Sequence, residues 1–216
     1  MNARKAVLAA AVCLALLSGC GGGGSGEPAP LTARQAESVL PDTVSVPGWD
    51  TTIEPVAHPL KTAKERGLAR CYAAGTRDSC ARVRFFGASG LHRQKAPNLY
   101  FTVQTYRDEA AARSAFATVW TAWEQRVPEP KAMSAGKLGD QRRAVAGLSS
   151  SAVEGSRGLM ILVREGSVLM LSVAESGLYV EMADSFLTPF ADAFAKRAVQ
   201  AEAGGRPSAG VKASAS

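Results

Sequence analysis

The side chains with the most distinctive chemistry in this sequence are its four cysteines. Cys13 lies inside an apolar run near the N-terminus and Cys20 directly after it, whereas Cys71 and Cys80 lie nine positions apart in the body of the chain. A cysteine can serve as a nucleophile, a metal ligand or a disulfide partner, and its surroundings select among these roles. The two pairs therefore need separate interpretations.

The first 19 residues have the organisation of a secretion signal. Arg4 and Lys5 form a basic start, and residues 6–17 form an uninterrupted apolar run within the usual length range of a signal peptide's apolar region. As a helix this run would extend only about 18 Å, whereas the hydrocarbon core of a bilayer is about 30 Å thick. The segment is therefore predicted to be a signal peptide rather than a stable membrane span.

The end of this leader, Leu17-Ser18-Gly19-Cys20, resembles the lipobox of bacterial lipoproteins, in which an aliphatic residue and two small residues precede an obligatory cysteine. The resemblance implies diacylglyceryl transfer to the Cys20 sulfur and cleavage after Gly19. Two or three acyl chains, each contributing about 0.8 kcal/mol per buried methylene, would hold the protein durably on the extracytoplasmic face of the cell membrane. The alternative is an ordinary secretion signal in which the position of Cys20 is accidental.

Cys71 and Cys80 form the remaining even pair. In an oxidising exterior two cysteines at this spacing predict one disulfide that closes a small loop, and Gly75 and Asp78 within the loop suit a turn. A metal site would need partners from His58 or His92, neither of which lies at a finger-like spacing. Reduced thiols are the third possibility.

The composition is that of an ordinary globular domain with a mildly basic surface. Of the 216 residues, 46% are apolar and 20% are charged, and loss of the leader with Arg4 and Lys5 lowers the formal charge from +6 to +4. The adjacent basic pair Arg142-Arg143 has no interleaved aromatic residues, so nucleic-acid binding is not predicted. Anionic lipid headgroups or wall polymers are the more plausible attraction for such a surface.

The chain divides into four parts. Residues 1–19 are the signal peptide, and residues 20–30 are the lipidated cysteine with a Gly-rich tether, whose ten residues after Cys20 span roughly 17 Å on average. Residues 31–202 are predicted to be a single domain. Residues 203–216 lack large apolar side chains and are predicted to be disordered.

Local patterns predict helices and strands in a clear order. A capping box at Thr32 and Gln35 starts a helix over residues 33–40, Asp108 caps a helix to residue 125, and Thr188 with Pro189 starts a helix to residue 201. A fourth helix is predicted over residues 61–69. The predicted strands lie at residues 50–56, 81–87, 98–107, 143–146, 152–154, 158–163 and 168–174, and residues 88–97 are predicted to be a polar loop.

Two stretches, residues 81–125 and 158–201, share the order strand, strand, helix. The last two strands form a hairpin and are apolar with little alternation, which indicates central strands that are covered on both faces. The predicted fold class is therefore α+β, with an antiparallel sheet packed by helices.

No catalytic signature stands out. The sequence has no G-x-S-x-G elbow, P-loop, dinucleotide fingerprint or H-E-x-x-H motif, and it has only two histidines. The protein is therefore predicted to be a non-enzymatic binding protein without a cofactor or bound metal. The weak candidates for ligand contacts are exposed basic residues, namely Arg82, Arg84, His92, Arg93, Arg142 and Arg143.

From Leu31 onward the chain resembles small lipoproteins of high-GC Gram-positive bacteria and the extracellular sensor-type domains of some bacterial serine/threonine kinases. The features that carry the resemblance are Leu31-Thr32 before the first helix, the cysteine pair ahead of a strand, Tyr106-Arg107-Asp108 before the Ala-rich helix, Gly139-Asp140 before a basic strand, and the hairpin at residues 158–174. The resemblance implies an α+β domain with a groove between helices and sheet that senses or carries an envelope ligand.

Three functions follow as hypotheses. The first is a membrane-anchored domain that binds a small amphiphile, lipid or wall fragment, which requires an apolar cavity of roughly 300 Å³ or more. The second is an interaction subunit of a membrane kinase or cell-wall complex, which requires an exposed apolar patch. The third is a hydrolase that uses a buried acidic pair in a cleft.

Overall fold

The computed structural model describes residues 30–75 and 77–212. The predicted signal peptide, the predicted lipidation site Cys20 and the predicted tether up to residue 29 lie outside the described residues. Within the described ranges, no helix is both long and apolar enough to cross a membrane.

The described residues form four helices and nine strands, with runs of four strands before and after α3. The helices are α1 (Ala33–Val39), α2 (Leu60–Glu65), α3 (Glu109–Glu124) and α4 (Thr188–Glu202). The strands are β1 (Asp50–Pro59), β2 (Ala73–Ala74), β3 (Arg77–Asp78), β4 (Phe85–His92), β5 (Asn98–Thr105), β6 (Lys131–Ala132), β7 (Gln141–Gly147), β8 (Arg157–Glu165) and β9 (Val168–Ser176).

Seven of these strands form one antiparallel sheet in the order β1-β4-β5-β9-β8-β7-β6, and β2 and β3 form a separate small hairpin. The central pairing of β5 with β9 joins the two strand–strand–helix units, aligning Phe101 with Ser172 and Val103 with Met170. The predicted α+β class with an antiparallel sheet is therefore confirmed. Both predicted strand–strand–helix units are present, as β4-β5-α3 and β8-β9-α4.

One face of the sheet is closed by α1, α4 and the chain that follows α4. Leu159, Ile161 and Phe101 on this face pack with Val39 of α1 and Phe194 of α4 in a single apolar core. The predicted capping box of α1 is present, because the Thr32 hydroxyl accepts from the Gln35 backbone N–H while the Gln35 side chain accepts from the Thr32 N–H. We call this side the closed face.

The opposite face is covered by α2 and α3 and leaves a cavity over part of the sheet, so we call it the cavity face. Asp108 caps α3 by accepting a hydrogen bond from the Ala111 N–H at 2.8 Å. Phe116, Val119 and Trp123 of α3 pack in the core of this face, which also contains Met160 and Leu162 of β8. The sheet is thus covered on both faces, as the apolar hairpin strands predicted.

Two predictions about strands were wrong. The strand predicted at residues 81–87 runs from Phe85 to His92 and takes up half of the predicted loop, because its small residues allow close contact with β1. A Cβ at Gly90 would lie 2.5 Å from the Thr52 hydroxyl oxygen, and one at Gly87 would lie 2.8 Å from the Val56 carbonyl oxygen. The strand predicted at residues 152–154 is a turn, with Ala152 at φ +54°.

The segment after α4 also differs from its prediction. Disorder was predicted from residue 203, but residues 208–211 lie against α4 and the loop before β1. The Val211 N–H donates to the Ser45 carbonyl at 2.7 Å, and the Gln200 side chain accepts from the Ser208 N–H at 2.7 Å. Hydrogen bonds to the backbone of this segment and the packing of Val211 against the closed-face core order it, and composition does not reveal these contacts.

Candidate ligand-binding cavity

The cavity face contains an open cavity of about 310 Å³ between the sheet, the C-terminal end of α3 and the loop after α2. This volume is at the lower end of the range for small-molecule sites, about 300–1,000 Å³, and satisfies the size condition of the amphiphile hypothesis. Its lining includes Ile53, Leu68, Arg70, Tyr72, Ala88, Tyr100, Thr102, Trp123, Arg126, Val127, Leu148, Ser150, Gly158, Met160, Val173 and Glu175.

The floor of the cavity is formed by neighbouring strands of the sheet. Ala88 of β4 aligns with Thr102 of β5, Tyr100 of β5 aligns with Val173 of β9, and Val173 aligns with Met160 of β8. Side chains on one face of a strand alternate, so these five residues form two adjacent rows on the cavity face. The result is a mostly apolar floor made by four strands.

One wall is the loop that enters the β2–β3 hairpin. The Cys71–Cys80 disulfide closes this hairpin with a Cα–Cα distance of 5.3 Å, which confirms the predicted bridge. Tyr72 next to it exchanges hydrogen bonds with Ser79: its N–H donates to the Ser79 hydroxyl, and its carbonyl accepts from the Ser79 N–H, both at 2.9 Å. The Tyr72 ring packs edge-on against Trp123 with ring centroids 4.9 Å apart, so the bridge fixes an aromatic wall of the cavity.

The bridge also bears on the alternative hypothesis that Cys71 and Cys80 bind a metal ion. Among the described residues, Cys71, Asp78 and Cys80 bring potential ligand atoms within 4.8 Å of one another. Both sulfur atoms are bonded to each other, however, so neither is a thiolate that could bind a metal ion. The geometry of this group fits a structural bridge.

Charged groups lie around the apolar lining. Arg70 belongs to the loop wall and Arg126 follows α3, and both are exposed. The Arg126 guanidinium lies over the Tyr72 ring, 5.3 Å from its centroid. On the β9 side, the half-buried Glu175 accepts a hydrogen bond from the Ser150 N–H at 3.0 Å. The cavity thus combines an apolar floor with two cations on one wall and one carboxylate on another.

A second groove of about 430 Å³ lies between α3 and β7. Arg113, Arg142 and Arg143 belong to its lining, and the Arg143 guanidinium lies 6.0 Å from the Trp120 ring centroid. Most of its lining side chains are polar or charged, so the groove suits an anion better than an apolar chain.

The six basic residues predicted as ligand contacts fall into three separate pairs, namely Arg82 with Arg84, His92 with Arg93, and Arg142 with Arg143. The first pair precedes β4, the second lies at its opposite end, and the third lies in β7. None of the six lines the cavity, and only the third pair lines the second groove. Ligand binding by these residues stays a prediction.

Sequence reasoning missed Arg70, Tyr72, Tyr100, Arg126 and Glu175, which are among the polar residues that line the cavity. They come from four different elements or loops, and no local motif connects them. Trp123 lies in the core of the cavity face and also forms a wall of the cavity.

A buried ionic network lies at the β8–β9 turn. The Arg164 side chain, only 4% exposed, contacts Asp140 at 2.9 Å and Glu109 at 3.4 Å. Burial raises the pKa of Glu165, and nearby Asp140 and Glu202 raise it further. Burial also raises the pKa of Glu202, whose carboxylate accepts from both the N–H and the hydroxyl of Ser167 at 2.9 Å.

This network is the acidic cluster that a hydrolase would need, but its position does not suit one. Neither Glu165 nor Glu202 lines the cavity or the second groove. Glu202 is engaged by Ser167, and Arg164 binds the neighbouring carboxylates. The arrangement joins the hairpin to α3, α4 and the start of β7, which is a structural role.

Comparison with known proteins yields a weak structural similarity. No protein-family model matches the chain, and no curated protein matches it. Among solved structures, the chain is similar to the extracellular domain of PknH from Mycobacterium tuberculosis, with a TM-score of 0.46 and 9% identity, over 82% of this chain and 99% of that domain. The function of this chain therefore has to be inferred from its own cavity.

Proposed function

We propose that this protein is a membrane-anchored, extracytoplasmic lipoprotein whose single domain binds a small amphiphile without chemical conversion. The observation that supports the proposal best is the open cavity of about 310 Å³ with its apolar floor and aromatic walls. Ligand sites are usually concave, mostly apolar and equipped with a few polar groups that orient the ligand. This cavity has each of these properties.

The anchoring part of the proposal depends on Cys20 and the leader before it. Its test is the intact mass of the protein extracted from its own host. We expect loss of residues 1–19 and added acyl mass on Cys20, and we expect a Cys20→Ala variant to leave the membrane fraction. An uncleaved leader, or a mature protein without acyl mass, would refute this part and leave the cavity unaffected.

The composition of the cavity favours binding over catalysis. Glu175 is the carboxylate of the lining, and the lining includes neither His58 nor His92. Acid–base chemistry usually requires two groups with different protonation states at one site. The cavity instead offers contact surface, two guanidinium groups and one carboxylate.

Cavity binding is tested with full-length protein and the neutral apolar dye N-phenyl-1-naphthylamine. We expect saturable binding at one site. Thr102→Trp places a large ring on the cavity floor and should abolish binding. Thr121→Trp, at an exposed position of α3 outside the lining, is the matched control and should bind as the wild type does. Equal binding by both variants would refute the cavity as the site.

A protein-interaction subunit is the alternative function, and one observation favours it. Val153, Leu178 and Tyr179 are exposed on adjacent loops, with Tyr179 97% exposed, and a Cβ at Gly155 would lie 3.3 Å from Leu178. The cavity is the stronger observation, because three exposed apolar side chains occur on many monomeric surfaces. Crosslinking in the host that recovers one defined partner through these loops, and no ligand in the cavity, would favour the alternative.

A further inference from the structure

We propose that the ligand of the cavity is a single-chain anionic amphiphile, with its acidic headgroup between Arg70 and Arg126 and its chain along the floor. This inference rests on the proposed function and assigns the chemical class of the ligand. It follows from the positions of the charged side chains, the lack of a carboxylate partner for two arginines, and the volume of the apolar cavity.

The first observation is that Arg70 and Arg126 lie on the same side of the cavity and have no carboxylate partner. Among residues 30–75 and 77–212, neither forms an ion pair within 4.0 Å, whereas Arg113, Arg157 and Arg164 all do. A guanidinium has several N–H donors in a fixed plane that suit a carboxylate or phosphate. Two unpaired guanidinium groups beside an apolar cavity therefore suit an anionic headgroup.

The second observation is that one of these cations is held in place. The Arg126 guanidinium lies over the Tyr72 ring, 5.3 Å from its centroid, while the backbone N–H of Arg126 donates to the Trp123 carbonyl at 2.8 Å and fixes the main chain there. Tyr72 in turn is fixed by the disulfide hairpin and by Trp123. A positioned cation loses less conformational freedom when it binds an anion, which raises affinity.

The third observation gives the orientation of the ligand. Glu175 on the β9 side would repel an anionic group, so the headgroup is placed at the arginine wall and the chain near Val173 and Met160.

The volume limits the apolar part to one chain. At about 310 Å³ the cavity lies at the small end of known ligand sites. A lipid with two long chains would have to leave much of its apolar surface in water. A fatty acid or a single-chain phosphate ester fits the combination of volume and charge.

The experiment compares probes that share one chain length and differ in headgroup. Dodecanoate, dodecyl phosphate, dodecanol and inorganic phosphate are each used to displace N-phenyl-1-naphthylamine from full-length protein, below the micelle concentration of each amphiphile. We expect dodecanoate and dodecyl phosphate to bind at least 10-fold more tightly than dodecanol. Inorganic phosphate should not displace the dye, because it has no chain to occupy the floor.

Variants then locate the headgroup. The double variant Arg70→Gln with Arg126→Gln should weaken dodecanoate binding at least 10-fold and leave dodecanol unchanged. Arg142→Gln with Arg143→Gln makes the same charge change at the second groove and should leave both probes unchanged. Thermal denaturation of each variant verifies that the fold is retained.

The outcomes separate this inference from the proposed function. If dodecanoate and dodecanol bind equally, or if the Arg70 and Arg126 variant weakens both to the same extent, the headgroup assignment is overturned and cavity binding stands. If no amphiphile displaces the dye and the dye does not bind, the proposed function itself fails. Displacement by inorganic phosphate alone would overturn the assignment of an amphiphile.

Discussion

The two faces of the sheet are built from the same strands but are covered to different extents. The closed face has α1, α4 and residues 208–211 over it, and its core includes Phe101 and Phe194 with no exposed surface. The cavity face has the short α2 and the longer α3, and Tyr100 on this face is 36% exposed. The comparison shows that the closed face is fully covered, whereas the cavity face combines a smaller core with an open cavity.

Arg197 shows how completely the closed face is joined together. Its guanidinium donates to the carbonyls of Ser38 at 2.8 Å, Val39 at 3.0 Å and Ala209 at 3.1 Å, which satisfies the end of α1 and the chain after α4. Burial lowers the pKa of Arg197, and nearby Asp42 opposes that effect. On the cavity face, the side chains of Arg70 and Arg126 donate no hydrogen bond to a backbone carbonyl of residues 30–75 and 77–212, and both remain exposed.

The largest expected difference between the faces is in their contribution to stability. Phe194→Ala should lower the free energy of unfolding by about 3–5 kcal/mol, because it leaves a cavity in a fully buried core beside Phe101. Tyr100→Ala removes a partly exposed ring and should cost about 1 kcal/mol or less. Urea denaturation of both variants measures the difference. Similar losses for the two would contradict the division between the faces.

The disulfide tests whether the wall of the cavity is held independently of the core. Replacing Cys71 and Cys80 together by Ser should lower the free energy of unfolding by about 2–3 kcal/mol, from the entropy of a loop of this length. It should also weaken dye binding several-fold, because Tyr72 loses its support. Phe194→Ala serves as the comparison, since it should reduce stability more and binding less. Unchanged dye affinity in the double Ser variant would mean that the wall keeps its structure without the bridge.

The smallest expected effect concerns pH and the turn between β8 and β9. Burial and neighbouring carboxylates raise the pKa of Glu165 above its usual value of 4.5. The folded state therefore binds a proton more tightly than the unfolded state does, and this group's contribution to stability decreases as the pH rises above about 4.5. Glu165→Gln should remove the penalty and stabilise the protein at pH 7 by a few tenths of a kcal/mol, since Glu165 is partly screened by solvent.

Glu165→Gln should not change stability near pH 4, where the carboxyl of the wild type is largely protonated in both states. Dye binding should be unchanged at either pH, because Glu165 lies outside the cavity lining. Glu54→Gln, at an exposed position of β1, is the matched control. A change in dye affinity with Glu165→Gln would mean that the network at the turn is coupled to the cavity.

Local signals in the sequence predicted most of the fold. The capping box at Thr32, the cap at Asp108 and the apolar hairpin were all identified correctly, because a helix cap or a strand pattern involves residues only a few positions apart. The errors came where tertiary packing overrode composition. Residues 88–97 were predicted to be a polar loop, but the lack of a side chain at Gly87 and Gly90 permits the close contact of β4 with β1.

The candidate site was much harder to predict than the fold. The residues around the cavity extend from Ile53 to Glu175, and the pairing of β5 with β9 brings the two halves of this set together. That pairing joins strands more than 60 positions apart, and no local pattern specifies it. The sequence instead predicted ligand contacts at exposed basic residues, and those residues do not line the cavity.

By itself the sequence determined the cysteine pair, the α+β class and the order of most helices and strands. Those properties depend on composition and on neighbours along the chain. Only the tertiary structure decided that α3 and α4 pack on opposite faces of the sheet, and that Arg70, Arg126 and Glu175 surround one apolar cavity. The physical reason is that a cavity is defined by distances between elements, and these are set by strand order and helix packing rather than by any short segment.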